Sequence, residues 1–594
     1  MSDTPRPASV SFPEFEPLST AAWQARIARD LKGADPATLR WQTPDGFVVE
    51  PFYHGEALAA LPETPAPQLR RGAAGTGWRN VPGYSIPAGE KGHATIMRAA
   101  DALTRGADGA HFVLADAATF DVEFLHLHLP LGTSYIGYSL TAEPAAFVRR
   151  LLATGVSELR GFLQFDPITD HLPDLRAQYR DLREVLTLTQ PMLDFQGLTL
   201  NTAFFGNRGG TATQQIAFTL AAAATYLSEL PTDALTTANV AAAMRVHVAI
   251  NPNYFFEISK LRALRRLWMT LLHAYGLPTE TADIPILAET SSWSQTTLDA
   301  HTNLLRATTE AMSAVLGGAD ALSVRPFDCL FHDSNEFSDR ISRNLSVLLR
   351  EEVGLVQVQD AAAGSYYLET LTDKLAQEAW ALFQKLEAAG GLPTAVGTVL
   401  QELHASAQAQ FRRIATGEQV VVGTNRFQNT REQFDFNPKK LLRSREFDST
   451  RATYPSEVLR LATSLHFERR EKKKKRAAVV LLGAHTNQLI QESFLQLLPD
   501  MERPALHDAH PSGTLSVLFS STEEATLMYA TPEQFGRFAR YILQIPNDDM
   551  TFVPPVLLTA DLATMQEAVR VFGFQEFTVQ GYTTDDVLAR LQGK

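Results

Sequence analysis

Few side chains in this sequence have a type and spacing that point directly to chemistry. Cys329 is the single cysteine, so the chain can form no internal disulfide and no cysteine-based zinc cluster. The charged run Glu468–Arg476 could contact phosphate or nucleic acid, but a solvated helix end or a linker is the preferred interpretation. Asn207–Gly210 could form an anion-binding loop, although a turn that leads into a helix is favoured.

The overall composition excludes several classes of protein. Hydrophobic residues make up 45% of the chain and charged residues 20%, which is typical of a globular protein and not of a disordered one. A net charge of −13 gives no support to a nucleic-acid partner. The sequence has no signal-peptide pattern, and it has no run of about 20 apolar residues that could span a membrane, so no membrane partner is expected. We therefore expect a cytoplasmic protein.

The N-terminal segment, residues 12–55, is too short to bury a core by itself. Ser19 or Thr20 can cap a helix. Two short strands are predicted around Trp41 and Phe47–Val49, with a Pro-Asp-Gly turn between them. The aromatic side chains of the segment are Phe12, Phe15, Trp23, Phe47, Phe52 and Tyr53. We expect the segment to wrap around another surface.

From about residue 75 to 425, short apolar runs alternate with helical patterns such as Pro144–Ala153 and Phe256–Ala274. The candidate strands are His111–Ala115, Ser134–Leu140, Gly161–Phe165, Leu198–Phe204, Arg245–Ile250, Ile284–Ala288, Ala321–Val324 and Val356–Gln359. Strands that alternate with helices in this way predict a (β/α)8 barrel of the TIM type. A doubly wound open sheet is the alternative, but no glycine-rich dinucleotide turn follows the first strand.

The helix around residues 255–272 has a distinct apolar stripe. The stripe consists of Phe255, Ile258, Leu261, Leu264, Trp268, Leu271 and Leu272. The cations Lys260, Arg262, Arg265 and Arg266 fall mostly elsewhere on the helix. This pattern predicts a helix that faces the core with one side and has a basic outer face.

The charged run before residue 477 marks the best domain boundary in the chain. The strands predicted after it are Ala477–Leu482, Leu515–Phe519, Pro555–Leu558 and Phe577–Val579, with helices between them, including Thr583–Leu591. This alternation predicts a small flavodoxin-like α/β domain. The predicted divisions are an arm (1–60), the barrel (61–425), a linker (426–476) and the flavodoxin-like domain (477–594).

A barrel followed by a flavodoxin-like domain is the order found in cobalamin-dependent acyl-CoA mutases, and three sequence blocks resemble methylmalonyl-CoA mutases. Residues 251–276, NPNYFFEISKLRALRRLWMTLLHAYG, are similar to the family's fifth strand and the helix after it. Residues 288–328 have a Ser-Trp-Ser followed by a helix with Asn, Arg and Thr. Residues 338–380 resemble the last barrel strand with its Gly-Ser-Tyr-Tyr turn. The blocks WQARIARDLKGAD and GFVVEPFYH resemble the opening of the family's small subunits.

The resemblance implies three functional positions, and this sequence departs from the family at each of them. The tyrosine of an Arg-Gln-Tyr-Ala-Gly-Phe stretch corresponds to Val81. The histidine of a Ser-Gly-Tyr-His-Met-Gln-Glu segment, at the end of the fourth strand, corresponds to about Phe204, and a phenyl ring cannot stabilise an oxyanion. In the cobalt-ligating Asp-x-His-x-x-Gly motif, Gly483 replaces the aspartate and Gln488 the last glycine, while His485 keeps the histidine.

A literal Asp-x-His-x-x-Gly pattern does occur later, at Asp508–Gly513, with His510 as its histidine. The pattern follows a predicted helix and a short second strand, and Pro511 favours a plain turn there. The glycine pair that would admit the cofactor's nucleotide tail is absent after Pro555–Leu558. The resemblance therefore assigns no catalytic, cofactor-binding or metal-binding residue to this chain.

Together these departures imply a non-catalytic small subunit of a heterodimeric methylmalonyl-CoA mutase. The complex would interconvert succinyl-CoA and (R)-methylmalonyl-CoA by a radical mechanism, with adenosylcobalamin and the acyl-CoA on a large catalytic partner chain. The N-terminal arm is expected to wrap around that partner. One alternative is a chain active by itself, with His485 or His510 as cobalt ligand. A second is a cofactor-delivery or assembly partner, although the sequence has no Gly-x-x-x-x-Gly-Lys-Ser/Thr loop.

Overall fold

A computed structural model describes most of the chain up to residue 427 and shorter segments beyond it. The described residues are 18–62, 77–170, 174–278, 283–332, 335–415, 418–424, 426–427, 451–453 and 457, together with the backbone of five strands between residues 478 and 582.

The N-terminal arm contains a helix, a hairpin and a second short helix. Helix α1 (Thr20–Asp30) begins at Ser19, whose side chain accepts a hydrogen bond from the backbone of the first turn. Strands β1 (Trp41–Gln42) and β2 (Val48–Val49) pair antiparallel. Helix α2 (Gly55–Ala59) follows. The predicted helix and the predicted strand pair are both confirmed.

Ten parallel strand segments follow the arm. They are β3 (Arg79–Asn80), β4 (Gly83–Ile86), β5 (Gly109–Leu114), β6 (Tyr135–Ser139), β7 (Gly161–Gln164), β8 (Phe195–Gln196), β9 (Leu198–Asn201), β10 (Met244–Ile250), β11 (Ile286–Thr290) and β12 (Ala321–Ser323). They pair in the orders β4-β5-β6-β7-β8 and β3-β12-β11-β10-β9. Val81 and Pro82 alone separate β3 from β4, and Gly197 alone separates β8 from β9. The segments therefore make a closed ring of eight strands, which agrees with the predicted barrel.

The prediction of a strand at Val356–Gln359 was wrong. Residues Leu355–Gln357 form a 3-10 turn after Gly354, which has a positive φ of 68°. The missing strand is β3–β4, where Pro82 interrupts the ladder because proline has no backbone N–H. The strand at Leu198–Asn201 is consequently fifth in the ring, and residues 251–276 follow the sixth strand.

Twelve helices surround or follow the ring in the described residues. They are α3 (His93–Thr104), α4 (Val122–His128), α5 (Pro144–Ala153), α6 (Leu175–Thr189), α7 (Thr202–Gly206), α8 (Ala212–Glu229), α9 (Thr237–Ala242), α10 (Tyr254–Ala274), α11 (Thr302–Leu316), α12 (Glu336–Glu351), α13 (Tyr366–Ala388) and α14 (Leu392–Ala415). Asn207–Gly210 is the turn from α7 into α8, as favoured. None of the described helices is long and apolar enough to cross a bilayer.

Helix α10 does not have the predicted basic outer face. Helices α8, α11 and α13 pack around it, so Lys260, Arg262 and Arg265 are at most 3% exposed, whereas Phe255 of the predicted apolar stripe is 48% exposed. The prediction failed because it assumed one covered side, and a cation buried on the other sides requires a carboxylate partner. The partners are Glu257 for Lys260, Asp360 and Glu369 for Arg262, Asp283 and Asp320 for Arg265, and Asp373 for Arg266.

The hairpin of the arm packs on the chain's own barrel. Phe47 stacks on Phe256 with ring centres 5.9 Å apart, and Trp41 meets the same ring edge-on at 5.2 Å. Lys374 Nζ donates a hydrogen bond to the carbonyl oxygen of Val48 at 2.7 Å. Helix α1, in contrast, has no buried residue. The arm thus consists of a hairpin that completes the core and a helix that remains on the surface.

Five strands are described in the C-terminal segment. They are β13 (Ala478–Leu482), β14 (Leu515–Ser520), β15 (Ala525–Ala530), β16 (Pro555–Thr559) and β17 (Gly581–Tyr582), in the order β15-β14-β13-β16-β17. The pairs β13–β14 and β14–β15 are antiparallel, while β13–β16 and β16–β17 are parallel. A flavodoxin-like sheet is parallel, so that fold is not confirmed. The charged run 468–476, the strand 577–579 and the helix 583–591 lie outside the described residues.

Candidate functional site

Side chains that point into the barrel form three layers along its axis. Successive residues of a strand point to opposite sides, so every second one faces inward. In β10, Val246 and Val248 join the core between the strands and the helices. Arg245 and His247, which alternate with them, therefore point toward the barrel axis. Of these two, Arg245 lies nearer the amino ends of the strands and His247 nearer their carboxyl ends.

The lower layer is built around Arg245, which is 0% exposed. Its Nη1 donates a hydrogen bond to the hydroxyl of Tyr135 at 2.6 Å. Its guanidinium carbon stands 3.8 Å from the ring centre of Phe162, and that of Arg79 stands 4.4 Å from the ring centre of Tyr135. Burial lowers the pKa of Arg245. This end of the barrel is therefore closed by stacked aromatic rings and guanidinium groups.

The middle layer is an apolar plug. It consists of Val81, Tyr135, Phe162, Leu287 and Ala321, all buried in one cluster. Gly137 makes room for it, because a Cβ at that position would lie 2.1 Å from Cζ of Phe162. The plug fills the axis, so a ligand could approach the interior only from the carboxyl ends of the strands.

The upper layer is polar and centres on Glu289, at the end of β11. Its Oε2 accepts a hydrogen bond from Arg325 Nη2 at 2.5 Å and lies 3.5 Å from His247 Nε2. The other ring nitrogen of His247, Nδ1, is 2.8 Å from Gln164 Oε1. Burial by itself would raise the pKa of Glu289, but Arg325 and His247 lower it to about 2. Glu289 is therefore a carboxylate at neutral pH.

A second histidine lies beside this group. His111 Nε2 is 2.7 Å from Ser139 Oγ, and its ring centre is 5.9 Å from that of His247. Burial, and then the neighbouring His247, lower the pKa of His111 to about 3, so its imidazole is neutral. Its Nδ1 has no hydrogen-bond partner among the described residues. Burial also raises the pKa of Cys329 to about 11, so its thiol is not an activated nucleophile.

The upper layer can be reached from solvent at the barrel mouth. Ser85 of β4 and Val113 of β5 are exposed, although the residues on either side of them are buried. Gly83 also leaves space, because a Cβ there would be 3.5 Å from Ser323 Oγ and 3.9 Å from Glu289 Oε1. The arrangement can therefore hold a small hydrogen-bonding or charged group near Glu289.

The sequence interpretation singled out none of these upper-layer side chains. A signal was present in β10, where an arginine and a histidine alternate with valines in the run Met-Arg-Val-His-Val-Ala-Ile. In a barrel strand the outward positions face helices and are apolar, so polar residues at alternate positions indicate the interior.

Comparison with known proteins identifies the family. A family model described as methylmalonyl-CoA mutase matches residues 155–453. The methylmalonyl-CoA mutase small subunit of Porphyromonas gingivalis is 32% identical over 490 residues, which cover 76% of this chain and 78% of that subunit. The chain belongs to the methylmalonyl-CoA mutase family.

Longer members of the family match a smaller share of their own length. The methylmalonyl-CoA mutase of Cereibacter sphaeroides is 29% identical over 464 residues, which cover 69% of this chain and 64% of that protein. The mitochondrial methylmalonyl-CoA mutase of Homo sapiens is 27% identical over 459 residues, which cover 69% of this chain and 61% of that protein. The chain thus spans less than two thirds of these two mutases.

Val81, which the sequence predicts at the position of the family's tyrosine, lies in the middle layer. It is 0% exposed, and its backbone N–H donates to the carbonyl oxygen of Leu322 at 2.9 Å. Its isopropyl group completes the apolar plug and carries no proton that could be transferred. The structure thus places this position in the barrel core.

Phe204, which the sequence predicts at the position of the family's histidine, lies in the short helix α7 after the fifth strand and not at the end of the fourth. Its ring meets that of Phe205 edge-on at 5.4 Å, and the guanidinium carbon of Arg208 stands 3.7 Å from its centre. A phenyl ring covered by a guanidinium group cannot donate a hydrogen bond to a thioester carbonyl. The position offers no general acid.

The predicted cobalt-motif positions Gly483, His485 and His510 lie outside the described residues. Within the described ranges, no group of three histidine, cysteine or carboxylate side chains is arranged to hold a metal ion.

Proposed function

We propose that this chain is the non-catalytic small subunit of a heterodimeric methylmalonyl-CoA mutase. The complex interconverts succinyl-CoA and (R)-methylmalonyl-CoA, and this chain stabilises the catalytic large subunit. The observation that carries the proposal is the barrel interior. Its axis is filled by the plug around Val81 and Phe162, and Phe204 supplies no acid at the mouth.

The similarity to a relative that is itself named a small subunit supports this role over the alternatives. A chain active by itself would need a cobalt ligand and a general acid, and Phe204 removes the second. A cofactor-delivery role has no phosphate-binding loop in its favour. The single cysteine is consistent with a cytoplasmic location.

Adenosylcobalamin belongs to the catalytic chain of the proposed complex, where it supplies the organic radical. The departures from the family's cobalt-ligating motif, with Gly483 in place of the aspartate and Gln488 in place of the last glycine, support this assignment. The acyl-CoA is likewise assigned to the partner. The contribution of this chain is the interface that it offers to the large subunit.

The proposal is tested with purified full-length chain, alone and mixed with a catalytic large subunit of the family. The chain alone is expected to bind no adenosylcobalamin at micromolar concentration and to show no mutase turnover. The mixture should bind adenosylcobalamin and show mutase turnover. A cobalamin spectrum that elutes with the isolated chain, and that is lost in His485→Ala or His510→Ala, would overturn the non-catalytic assignment.

The arm can be tested in two parts. Deleting residues 1–33 removes the exposed helix α1. The deletion should weaken association with the large subunit by several kcal/mol, on the scale of a few interface anchors, and less of that subunit should then co-purify. Deleting residues 1–55 also removes the hairpin that carries Phe47, and it should lower the thermal stability of the barrel as well. Equal recovery of the partner by full-length chain and by the shorter deletion would argue against an arm at the interface.

A further inference from the structure

The carboxylate of Glu289 is held in the way that a protein commonly holds the carboxylate of a ligand. Arg325 Nη2 donates to it at 2.5 Å, and His247 Nε2 lies 3.5 Å away. Charge-assisted bonds from arginine are a strong means of fixing a carboxylate. The Arg325 side chain is 31% exposed, so this cation is reached from the barrel mouth and is not sealed in the core.

Several other features around Glu289 are those of a site with room for an occupant. Gly83 on the neighbouring wall presents no side chain, and Val113 at the mouth is 42% exposed. His111 Nδ1 is buried and has no hydrogen-bond partner among the described residues, which is costly unless some group can approach it. Below this layer the apolar plug prevents a ligand from entering more deeply.

We propose that the upper layer of the barrel is a carboxylate-binding site that the chain fills with its own Glu289. Glu289 therefore keeps small carboxylates out of the barrel of this chain. When its side chain is shortened, Arg325 and His247 bind a small monocarboxylate from solution in its place. The inference concerns the isolated chain and does not depend on the proposed role in a complex.

The size of the ligand follows from the side chain that it replaces. Glu289→Ala removes one methylene and one carboxylate group, which together match an acetate ion. The main chain at Arg325 does not depend on Glu289, because its backbone N–H donates to Thr290 Oγ1 at 2.8 Å, so the cation stays beside the vacated space. Glu289→Gln is the matched control, since it keeps the volume and removes the charge.

The experiment measures thermal unfolding of the full-length chain in sodium acetate and in sodium chloride of equal ionic strength. Glu289→Ala should unfold at a lower temperature than the unsubstituted chain. Acetate should raise its Tm by about 2–5 °C and the rise should saturate, as expected of a ligand that binds only the folded state. The unsubstituted chain and Glu289→Gln should respond to acetate no more than to chloride.

A double variant separates a site from a general salt effect. Adding Arg325→Ala to Glu289→Ala should abolish the response to acetate, because the cation that binds it is gone. If Glu289→Ala does not fold in chloride, its refolding yield with and without acetate gives the same comparison, and Glu289→Ser provides a second test. The proposal is overturned if acetate leaves both Glu289→Ala and Glu289→Ser unchanged, or if it stabilises the unsubstituted chain equally.

Discussion

Helix α10 and the barrel interior both bury cations, but they treat them differently. Around α10, each of the buried cations Lys260, Arg262 and Arg265 has at least one carboxylate partner. Inside the barrel, Arg245 is bound only by a tyrosine hydroxyl and aromatic faces, and none of the ion pairs formed by the described residues includes it. A cation without a nearby anion is expensive to bury.

The difference separates charges that are held by ion pairs from a charge that is held by a hydroxyl group and aromatic rings. Around α10, the pairs of Arg262 and Arg265 link the helix to α13 and to the loops before α13, β11 and β12, while Lys260 pairs with Glu257 of the same helix. In the lower layer of the barrel, Arg245 is joined to Tyr135 by a hydrogen bond and has no carboxylate partner among the described residues. We expect substitutions in the two regions to have effects of different size.

The largest effect is expected for Arg265→Leu. The substitution leaves Asp283 and Asp320 without their cation and removes hydrogen bonds to the carbonyl oxygens of Ile284 and Gly318. Breaking a buried pair from one side costs about 3–5 kcal/mol, so the apparent free energy of unfolding in denaturant should fall by that amount. Arg26→Leu, at an exposed pair with Asp30, is the control and should leave the free energy of unfolding nearly unchanged, because solvent screens an exposed pair. Similar losses in the free energy of unfolding for both variants would contradict the distinction between buried and exposed ion pairs.

An intermediate, pH-dependent effect is expected for Asp170→Asn near the mouth. Burial, and then the charge of Asp166, raise the pKa of Asp170 from 3.8 to about 7. A carboxyl group with a raised pKa contributes its full stability at pH values below its ordinary pKa of 3.8. This contribution is lost as the pH rises through about 7. The asparagine variant keeps the contact with Asn201 without the charge. It should be more stable than the original chain by about 1–3 kcal/mol at pH 8 and equal to it near pH 4.

The check is denaturant unfolding of both chains across this pH range. Asp233→Asn, at an exposed loop position, serves as the control for an aspartate-to-asparagine change outside the core. A difference between Asp170→Asn and the original chain that stays constant from pH 4 to pH 8 would exclude Asp170 as the titrating group.

A smaller effect is expected for Arg245→Met. The variant loses one hydrogen bond to Tyr135 but also removes a fully buried charge that has no carboxylate partner in the described part of the chain. These changes oppose each other, so the free energy of unfolding should stay within about 1 kcal/mol of the original value or rise. Chemical denaturation in parallel with Arg265→Leu measures the contrast. A loss above about 3 kcal/mol for Arg245→Met would place this arginine with the structural cations of α10.

No gain of activity is expected for Phe204→His in the isolated chain. The imidazole would restore one group of a site whose parts act together, while Val81 and the plug would still fill the axis. Mutase turnover measured with succinyl-CoA and adenosylcobalamin should remain at background, with Val81→Tyr as the matched second variant. Turnover from either single variant would mean that the interior is a working site and not a closed one.

Much of the barrel could be predicted from the sequence, because its strands are short apolar runs separated by helices. Seven of the predicted strands lie in the ring, and helix α5 has the predicted bounds Pro144–Ala153. The first strand was missed because it is split by Pro82 into β3 and β4. Val356–Gln359 was mistaken for a strand because its valines alternate with glutamines, a local pattern that the preceding turn at Gly354 overrides.

The family, and the lack of functional side chains at Val81 and Phe204, were determined by the sequence alone, because side-chain type at a matched position needs no coordinates. The surroundings of these two side chains were decided only by the tertiary structure. Closure of the ring brings β7, β10, β11 and the loop after β12 to a common axis, and so places Gln164, His247, Glu289 and Arg325 together. These residues are far apart in the chain. The same packing buried the cations of α10, because a helix enclosed by three others has no outer face, whatever pattern its sequence shows.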